Sequence, residues 1–247
     1  MGAKTALLVF ADRHPADLLR RAPALSPEAT ARLVVRTNPG WNGATAERRS
    51  LRHALYPPEG TVHAGSFPEV DVLCDQQVMV DRPSALPDHL LEAGAHRGRT
   101  ILHAMHSVVD WFAYAVWEDG TLVRALSVSP GDGVIEDIGA PLDFEPPYWA
   151  GEHPVEPVPG WPGAGEPYPL RFHPLDLGEA ALRALLGFVV EGLPLPTDID
   201  AGSVELAGFR VPVTDPLTQE EIDEFRRTRA LQRFTYGPDG TLVPVED

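Results

Sequence analysis

The chain has 247 residues, 43% of them hydrophobic and 23% charged, which is enough to bury a sizeable core without disulfides. Its formal net charge of −16 repels nucleic-acid phosphates and anionic membrane surfaces, so neither is expected as a partner. Because Cys74 is the only cysteine and no apolar stretch reaches the ~20 residues of a membrane span, we expect a single cytoplasmic globular domain over residues 1–247.

Strand and helix signals alternate through the N-terminal part of the chain. The continuous apolar run at 5–11 predicts a buried strand, and Pro15 begins a short helix after it. Ser26, followed by Pro27, predicts the capped start of a second helix. The next predicted elements are a loop with a short helix around 45–55, strands at 62–66 and Val70–Cys74, and a helix over 83–93 that ends at a left-handed Gly94.

The middle of the chain carries the clearest pattern, that of an antiparallel meander. Four β-rich runs follow one another at 100–107, 111–117, 121–128 and 134–138. The second and third are joined through Asp119-Gly120, a pair that accepts the positive φ angles of a tight hairpin turn. Strands joined so closely are antiparallel. We therefore predict an α+β fold: a mixed sheet with a central antiparallel meander, helices packed on it, and a long Pro-rich covering loop.

Residues 139–174 are the Pro-rich covering loop, because their prolines exclude both helix and central strand. Aromatic rings alternate with acidic side chains along it, which is typical of a recognition surface. The predicted binding residues are Tyr148, Trp149, Glu152 and Trp161. The alternative is that the rings face inward and attach the segment to the core.

The C-terminal part predicts three more elements: an almost wholly apolar helix from Asp176 or Gly178 to Glu191, a half-buried strand at 203–213, and a last helix started by the capping box of Thr218 and Glu221. Within the apolar helix, Glu179 and Arg183 have the spacing of an ion pair. A helix with so little polar surface is expected to pack against the sheet.

Four side chains are the catalytic candidates if the protein is an enzyme: His106, Asp110, Asp12 and Asp75. His106 and Asp110 flank the first meander turn, where a hydrogen bond between them would either orient a general base or stabilise the turn. Asp12 and Asp75 each follow a predicted strand. If those strand ends meet, the two carboxylates could hold a magnesium ion; the alternative is that both are solvated loop acids.

The pair His103 and His106 has a spacing that would share one face of a helix, as metal ligands do. On the predicted strand, the same two side chains point to opposite faces of the sheet. We therefore expect no metal site, and no nucleotide or dinucleotide loop predicts a cofactor. The chain also lacks the nucleophile elbow of hydrolases and the zinc-binding helix of metalloproteases.

Several short motifs resemble those of a known family: Met1-Gly2-Ala3-Lys4-Thr5, Leu73-Cys74-Asp75, Val80-Asp81-Arg82-Pro83, Asp110-Trp111-Phe112, Glu118-Asp119-Gly120, and Phe144-Glu145 with Trp149-Ala150-Gly151-Glu152. The family is one of uncharacterised actinobacterial cytosolic proteins, a domain of unknown function. This resemblance covers most of the chain and implies no activity. The meander alone is similar to small acidic domains found near bacterial toxin–immunity loci.

Three functions are compatible with these features. The leading hypothesis is a non-catalytic protein-binding module, immunity-like or regulatory, that engages a basic protein partner through its acidic surface. The first alternative is a hydrolase or transferase with its site at the strand ends. The second is a small-molecule sensor with an apolar pocket. The oligomeric state is left open.

Overall fold

The computed structural model describes residues 3–21, 24–41, 45–156 and 168–212, and two short strands near the C-terminus. By its contacts the chain divides into two compact units. One comprises Met1–Pro154 and Pro169–Pro212, and the other comprises Val155–Tyr168 and Val213–Asp247. The organisation as one domain stays a prediction, and the helix predicted from Thr218 lies outside the described residues.

Within the described part of the first unit, one sheet contains nine strands. In chain order they are Lys4–Ala11 (β1), Thr45–Ser50 (β2), Thr61–Phe67 (β3), Val70–Cys74 (β4), Arg99–His106 (β5), Trp111–Glu118 (β6), Thr121–Ser129 (β7), Gly133–Ile138 (β8) and Glu205–Arg210 (β9). Their order across the sheet is β2-β9-β3-β4-β1-β5-β6-β7-β8. In the second unit, Phe234–Tyr236 (β10) pairs antiparallel with Leu242–Pro244 (β11).

The α+β fold class is confirmed, with two corrections to the predicted sheet. Every strand pairing of the large sheet is antiparallel, so the sheet is not mixed. The meander β5–β8 is present as predicted, but it forms one side of the sheet, and β1 is the central strand. Asp119 and Gly120 have φ angles of 47° and 76°, as the predicted tight turn requires.

The helices of the described ranges are Pro15–Leu19 (α1), Pro27–Thr37 (α2), Leu51–Ala54 (α3), Asp88–Ala93 (α4), Pro146–Trp149 (α5) and Pro174–Leu186 (α6), with 3-10 turns at Gln76–Val78 and Pro83–Ala85. In these ranges, no helix has the length and apolar character needed to cross a membrane. The predicted cap of α2 is confirmed, because the Ser26 side chain accepts a hydrogen bond from the Ala29 amide at 3.4 Å.

Three helix predictions are corrected. Residues 45–50 form β2, an edge strand of the sheet, where a loop with a short helix was predicted, and only Leu51–Ala54 of the predicted helix is helical. The helix predicted over 83–93 is divided, because Leu86 is extended before Pro87, as residues preceding proline usually are. Gly94 ends α4 with a φ of −100°, so it is not left-handed. In the covering loop, Pro146 and Pro147 occupy the first turn of α5, where proline is tolerated.

Both faces of the sheet are covered, which explains the apolar run of β1. Leu7 and Val9 belong to the core on the α6 side, whereas Leu8 and Phe10 belong to the core on the side of α2 and α4. An antiparallel strand usually alternates between apolar and polar residues because one face meets water. Here each face meets a helix layer, so every residue from Thr5 to Ala11 is buried.

Helix α6 packs against β5 and β6, as its apolar sequence predicted, but its ends differ from the prediction. It begins after His173, whose Nδ1 accepts a hydrogen bond from the Leu175 amide at 3.3 Å. It ends at Gly187, whose φ of 81° suits only glycine well. The expected Glu179–Arg183 ion pair is wrong: Arg183 pairs with Asp198, and Glu179 accepts hydrogen bonds from the amides that follow the helix.

Candidate functional site

Asp12, one of the predicted catalytic residues, lies directly after β1 and pairs with Arg97. The Nη1 atom of Arg97 is 2.5 Å from Asp12 Oδ2, and its Nε atom is 3.2 Å from Asp71 Oδ2. Arg97 therefore connects a predicted site residue to Asp71, a carboxylate that the sequence analysis did not single out.

Asp71 is the centre of a polar cluster on β4. Its side chain is 1% exposed, and His96 Nε2 lies 3.0 Å from its Oδ2. The Ser66 hydroxyl donates a short hydrogen bond to Oδ1. A buried carboxylate needs such partners to compensate for lost hydration. We call Asp12, Ser66, Asp71, His96 and Arg97 the Asp71 cluster.

The Asp71 cluster opens to solvent at His96. This side chain is 47% exposed and lines a cavity of about 540 Å³. Arg97, Thr100, Trp117 and Asp119 line the same cavity. His96 is therefore accessible to a small molecule from one side while a shielded carboxylate holds it from the other.

Local backbone packing places His96 and Arg97 on Asp71. The two residues lie in the loop 94–98 between α4 and β5, and Gly94 begins that loop. A Cβ atom at Gly94 would lie 1.8 Å from Phe10 Cδ1, so the absence of a side chain lets the loop approach β1 closely. The Gly98 carbonyl accepts a hydrogen bond from the Asp119 amide at 2.7 Å, which attaches the loop to the β6–β7 turn.

The geometry of His96 is that of an oriented general base. In its neutral form, the imidazole donates the Nε2 proton to Asp71, so Nδ1 keeps a lone pair that can accept a proton. Ser66 does not suit the role of nucleophile, because its residue is 5% exposed and its proton is given to Asp71 rather than to His96. The cluster is thus equipped for proton transfer and not for covalent catalysis by serine.

The electrostatics keep Arg97 fully charged. Burial lowers the pKa of its guanidinium, but the carboxylates of Asp71 and Asp12 raise it by more, so the net shift is upward. The formal charges of Asp12, Asp71 and Arg97 sum to −1. Glu92 and Asp119 add two negative formal charges at the cavity wall, so the cavity favours a neutral or cationic molecule over an anion.

Asp75 lies far from Asp12, which corrects the predicted meeting of the two carboxylates. Strands β1 and β4 are antiparallel neighbours, so the carboxyl end of one lies beside the amino end of the other. The Asp12 amide bonds Glu69, whereas the Asp75 amide bonds Ala6, five residues before the end of β1. Asp12 is therefore six residues along the strand direction from the position opposite Asp75, which is roughly 20 Å at about 3.4 Å per residue. Asp75 instead caps a 3-10 turn through the Gln77 amide, and burial raises its pKa.

His106 and Asp110 each lie near a ring from another part of the chain. The His106 ring lies edge-on to Tyr56, with centroids 6.0 Å apart. The Asp110 carboxylate lies 3.6 Å from His173 Nε2, at the start of α6. His103 faces the α6 side, where it is fully buried between the Thr5 hydroxyl at 2.8 Å and the Gly178 carbonyl at 2.9 Å. The prediction that His103 and His106 diverge is confirmed.

The covering loop turns its described aromatic rings inward. Tyr148 stacks on His153 and meets Phe172 edge-on, and its hydroxyl donates to the Asp176 carbonyl at 3.2 Å. Trp149 also packs edge-on against Phe172. Glu152 is exposed, and Trp161 lies outside the described residues. The predicted binding role stays a prediction for all four residues, Tyr148, Trp149, Glu152 and Trp161. The rings of Tyr148 and Trp149 do face inward, as the alternative interpretation expected.

A buried ion pair attaches this loop to the sheet. Arg124 on β7 and Glu145 in the loop are each 0% exposed, with 2.7 Å between Nη2 and Oε2. Glu145 also accepts hydrogen bonds from Tyr114, the Leu142 amide and Trp149. Because all of these donors belong to the protein itself and both charged side chains are fully buried, the pair serves the fold.

Sequence reasoning missed Asp71, His96 and Arg97 as a group, although one signal was available. Asp71 interrupts the otherwise apolar run Val70–Cys74. A carboxylate inside a strand that is expected to be buried must find basic or hydrogen-bonding partners. Which partners it finds depends on the loop 94–98, and no local pattern reveals that contact.

In the described ranges, no group of three histidine, cysteine, aspartate or glutamate side chains is arranged to hold a metal ion. Comparison with curated proteins gave no match, and comparison with solved structures gave none either. A family model does match, over residues 5–209, and this range includes the Asp71 cluster, its cavity and all of the large sheet except its first residue, Lys4, and its last, Arg210. The chain therefore belongs to a family of unknown function, DUF6928.

Proposed function

We propose that the protein binds a small neutral or cationic molecule in the cavity at His96 and catalyses proton transfer there, as a hydrolase or transferase does. The observation that carries this proposal is the hydrogen bond from a cavity-lining histidine to a buried carboxylate, His96 to Asp71. His96 is the general base, and Asp71 is the positioning residue that selects its tautomer. Trp117 supplies an apolar wall for the bound molecule.

Two features of the cluster support catalysis over simple packing. A histidine that served only the core would be buried, yet His96 is 47% exposed while its partner is 1% exposed. In addition, Arg97 and Ser66 hold the Asp71 carboxylate, so that the base is supported by a rigid second layer of contacts.

The test combines a fragment screen with a panel of neutral and cationic chromogenic esters and amides. Binding is followed by the indole N–H resonance of Trp117 and the ring resonances of His96. For any substrate that is turned over, His96→Gln should lower kcat by about 100-fold or more. Asp71→Asn should lower it at least about tenfold and change the pH–rate profile, because the base loses its orienting partner.

His89→Gln is the matched control, since it removes a histidine from α4, outside the cluster. It should leave kcat unchanged. Full activity in His96→Gln would refute the catalytic role. Fragments that bind only elsewhere, without moving the Trp117 and His96 resonances, would refute the cavity as the site.

A second candidate is the engagement of a basic protein partner, in an immunity-like or regulatory role. The net charge of −16 and the exposed Glu152 in the covering loop favour it. A Lys/Arg-rich peptide should then bind with an affinity that falls steeply with salt, and Glu152→Gln should weaken it more than Glu28→Gln on α2. Equal effects of the two substitutions would show attraction to the overall charge only.

We also infer a cytoplasmic location in an actinobacterium. The sequence resemblance noted above supports the source, and the single buried Cys74 is compatible with a reducing compartment. A fusion to a fluorescent protein in such a host would test the location, and a signal confined to the cell envelope would contradict it.

A further inference from the structure

A second cavity, of about 690 Å³, lies at the opposite end of β1 from the Asp71 cluster. Lys4 at the start of β1 forms part of it, together with Arg52 and His53 of α3. Tyr56 and Val108 contribute apolar surface, and Val108 is 72% exposed. The two cavities share no lining residue, so this one is independent of the proposed catalytic site.

Two basic side chains of this cavity, Lys4 and Arg52, have no ion-pair partner among the described residues. Among the described residues, neither Lys4 nor Arg52 has a carboxylate within 4.0 Å, whereas many arginines of the chain are paired, such as Arg13 with Glu69 and Arg48 with Glu205. The Lys4 ammonium instead lies 5.2 Å from the centre of the Tyr56 ring.

The local charge therefore opposes that of the whole molecule. Lys4 and Arg52 contribute two positive charges and His53 a third when protonated, against one negative charge from Glu191. In a chain with a net charge of −16, a cationic cavity is the place where an anion is attracted rather than repelled. Two cations that line one cavity without ion-pair partners repel each other, and a bound anion would offset that repulsion.

We propose that this cavity binds a small organic anion, a carboxylate or phosphate ester that carries a flat apolar group. Arg52 and Lys4 hold the anionic end, since a guanidinium fork and an ammonium together match carboxylate and phosphate oxygens. The apolar group rests against Tyr56 and Val108. The exposed position of Val108 is then explained, because the ligand covers it.

The probes are phenyl phosphate, benzoate and inorganic phosphate, titrated by calorimetry at low salt. Phenyl phosphate and benzoate should bind saturably, and inorganic phosphate should bind several-fold more weakly because it lacks the apolar group. Lys4 is the only lysine of the chain, so ¹³C-methylation gives a single lysine side-chain resonance that should move with each ligand.

Arg52→Gln and Lys4→Met should each weaken binding by about tenfold or more, as loss of a charge-assisted hydrogen bond does. Arg32→Gln is the matched control, because it removes the same charge from the exposed face of α2 and should change the affinity less than twofold. Glu191→Gln should tighten binding, since it removes the one opposing charge.

Three results would overturn the proposal. One is the absence of saturable binding for all three probes. Another is equal weakening by Arg52→Gln and Arg32→Gln, which would reduce the effect to overall charge. The third is binding that leaves the Lys4 resonance unmoved, which would place the ligand elsewhere.

Discussion

Replacement of Glu145 by glutamine should destabilise the fold strongly, because the structure gives this side chain no spare acceptor. Oε1 accepts from Tyr114 Oη at 2.5 Å, Arg124 Nε at 2.9 Å and the Leu142 amide at 2.7 Å. Oε2 accepts from Arg124 Nη2 at 2.7 Å and Trp149 Nε1 at 3.2 Å. In glutamine, an NH2 group replaces one of these two oxygens. At either position, the N–H or O–H groups that now donate to the oxygen would face another donor and lose their hydrogen bonds.

The magnitude follows from the loss of charge as well as of hydrogen bonds. Arg124 is 0% exposed and would keep only Asp137, at 2.5 Å, as a carboxylate partner. Removing one member of a buried ion pair costs about 3–5 kcal/mol when the remaining charge loses its buried partner, and the half-exposed Asp137 compensates Arg124 only in part. We expect Glu145→Gln to lower the free energy of unfolding by that amount.

Urea unfolding, followed by far-ultraviolet circular dichroism, measures this loss. Glu152→Gln is the control, since it makes the same chemical change on an exposed residue of the same loop, and its midpoint should match that of the wild type. A loss below about 1 kcal/mol for Glu145→Gln would refute the reasoning. The double variant Arg124→Leu/Glu145→Leu should lose less than Glu145→Gln, because no buried charge remains unpaired.

Acid should act through the same side chain. Burial raises the pKa of Glu145, but the hydrogen bonds that it accepts from Arg124 and Tyr114 lower the pKa by more. The folded-state pKa therefore lies below the ordinary 4.5. A carboxyl with a depressed pKa contributes stability above pH 4.5 and loses that contribution as the pH falls through the folded value. The Glu145→Gln variant should lack this part of the acid dependence.

Three further predictions concern other parts of the core. Burial lowers the pKa of His103 from 6.5 to about 4, so as the pH falls the unfolded state takes up the histidine proton before the folded state does. The free energy of unfolding should therefore decrease by about 3 kcal/mol as the pH is lowered from 7 to 4, and His103→Gln should flatten this pH dependence in urea titrations. Cys74 is fully buried with a raised pKa, so a thiol reagent should label it only in denaturant, and rapid labelling of the native protein would contradict its position on β4. Gly94→Ala should cost about 1–3 kcal/mol through overlap with Phe10, and an unchanged thermal midpoint would show that the loop 94–98 can move away.

Much of the secondary structure could be predicted from local pattern. The meander, the capped helix α2, the strand Val70–Cys74 and the buried helix α6 were all readable, because each is encoded by neighbours in the chain through alternation, caps and turn residues. The edge strand β2 was missed, since a polar strand on the rim has no apolar alternation to reveal it.

The site depended on contacts that no local pattern contains. Asp71 and His96 are 25 residues apart, and they meet because a side-chain-free Gly94 lets the loop 94–98 approach β1. Strand direction mattered equally: β1 and β4 are antiparallel, so Asp12 joined Asp71 and was separated from Asp75. Composition, charge and local periodicity thus determined the elements and the acidic character. Only the tertiary packing decided which polar side chains share a cavity. A buried charge is stable only beside a partner, and that partner can be distant in sequence, so the folded contacts decide which side chains pair.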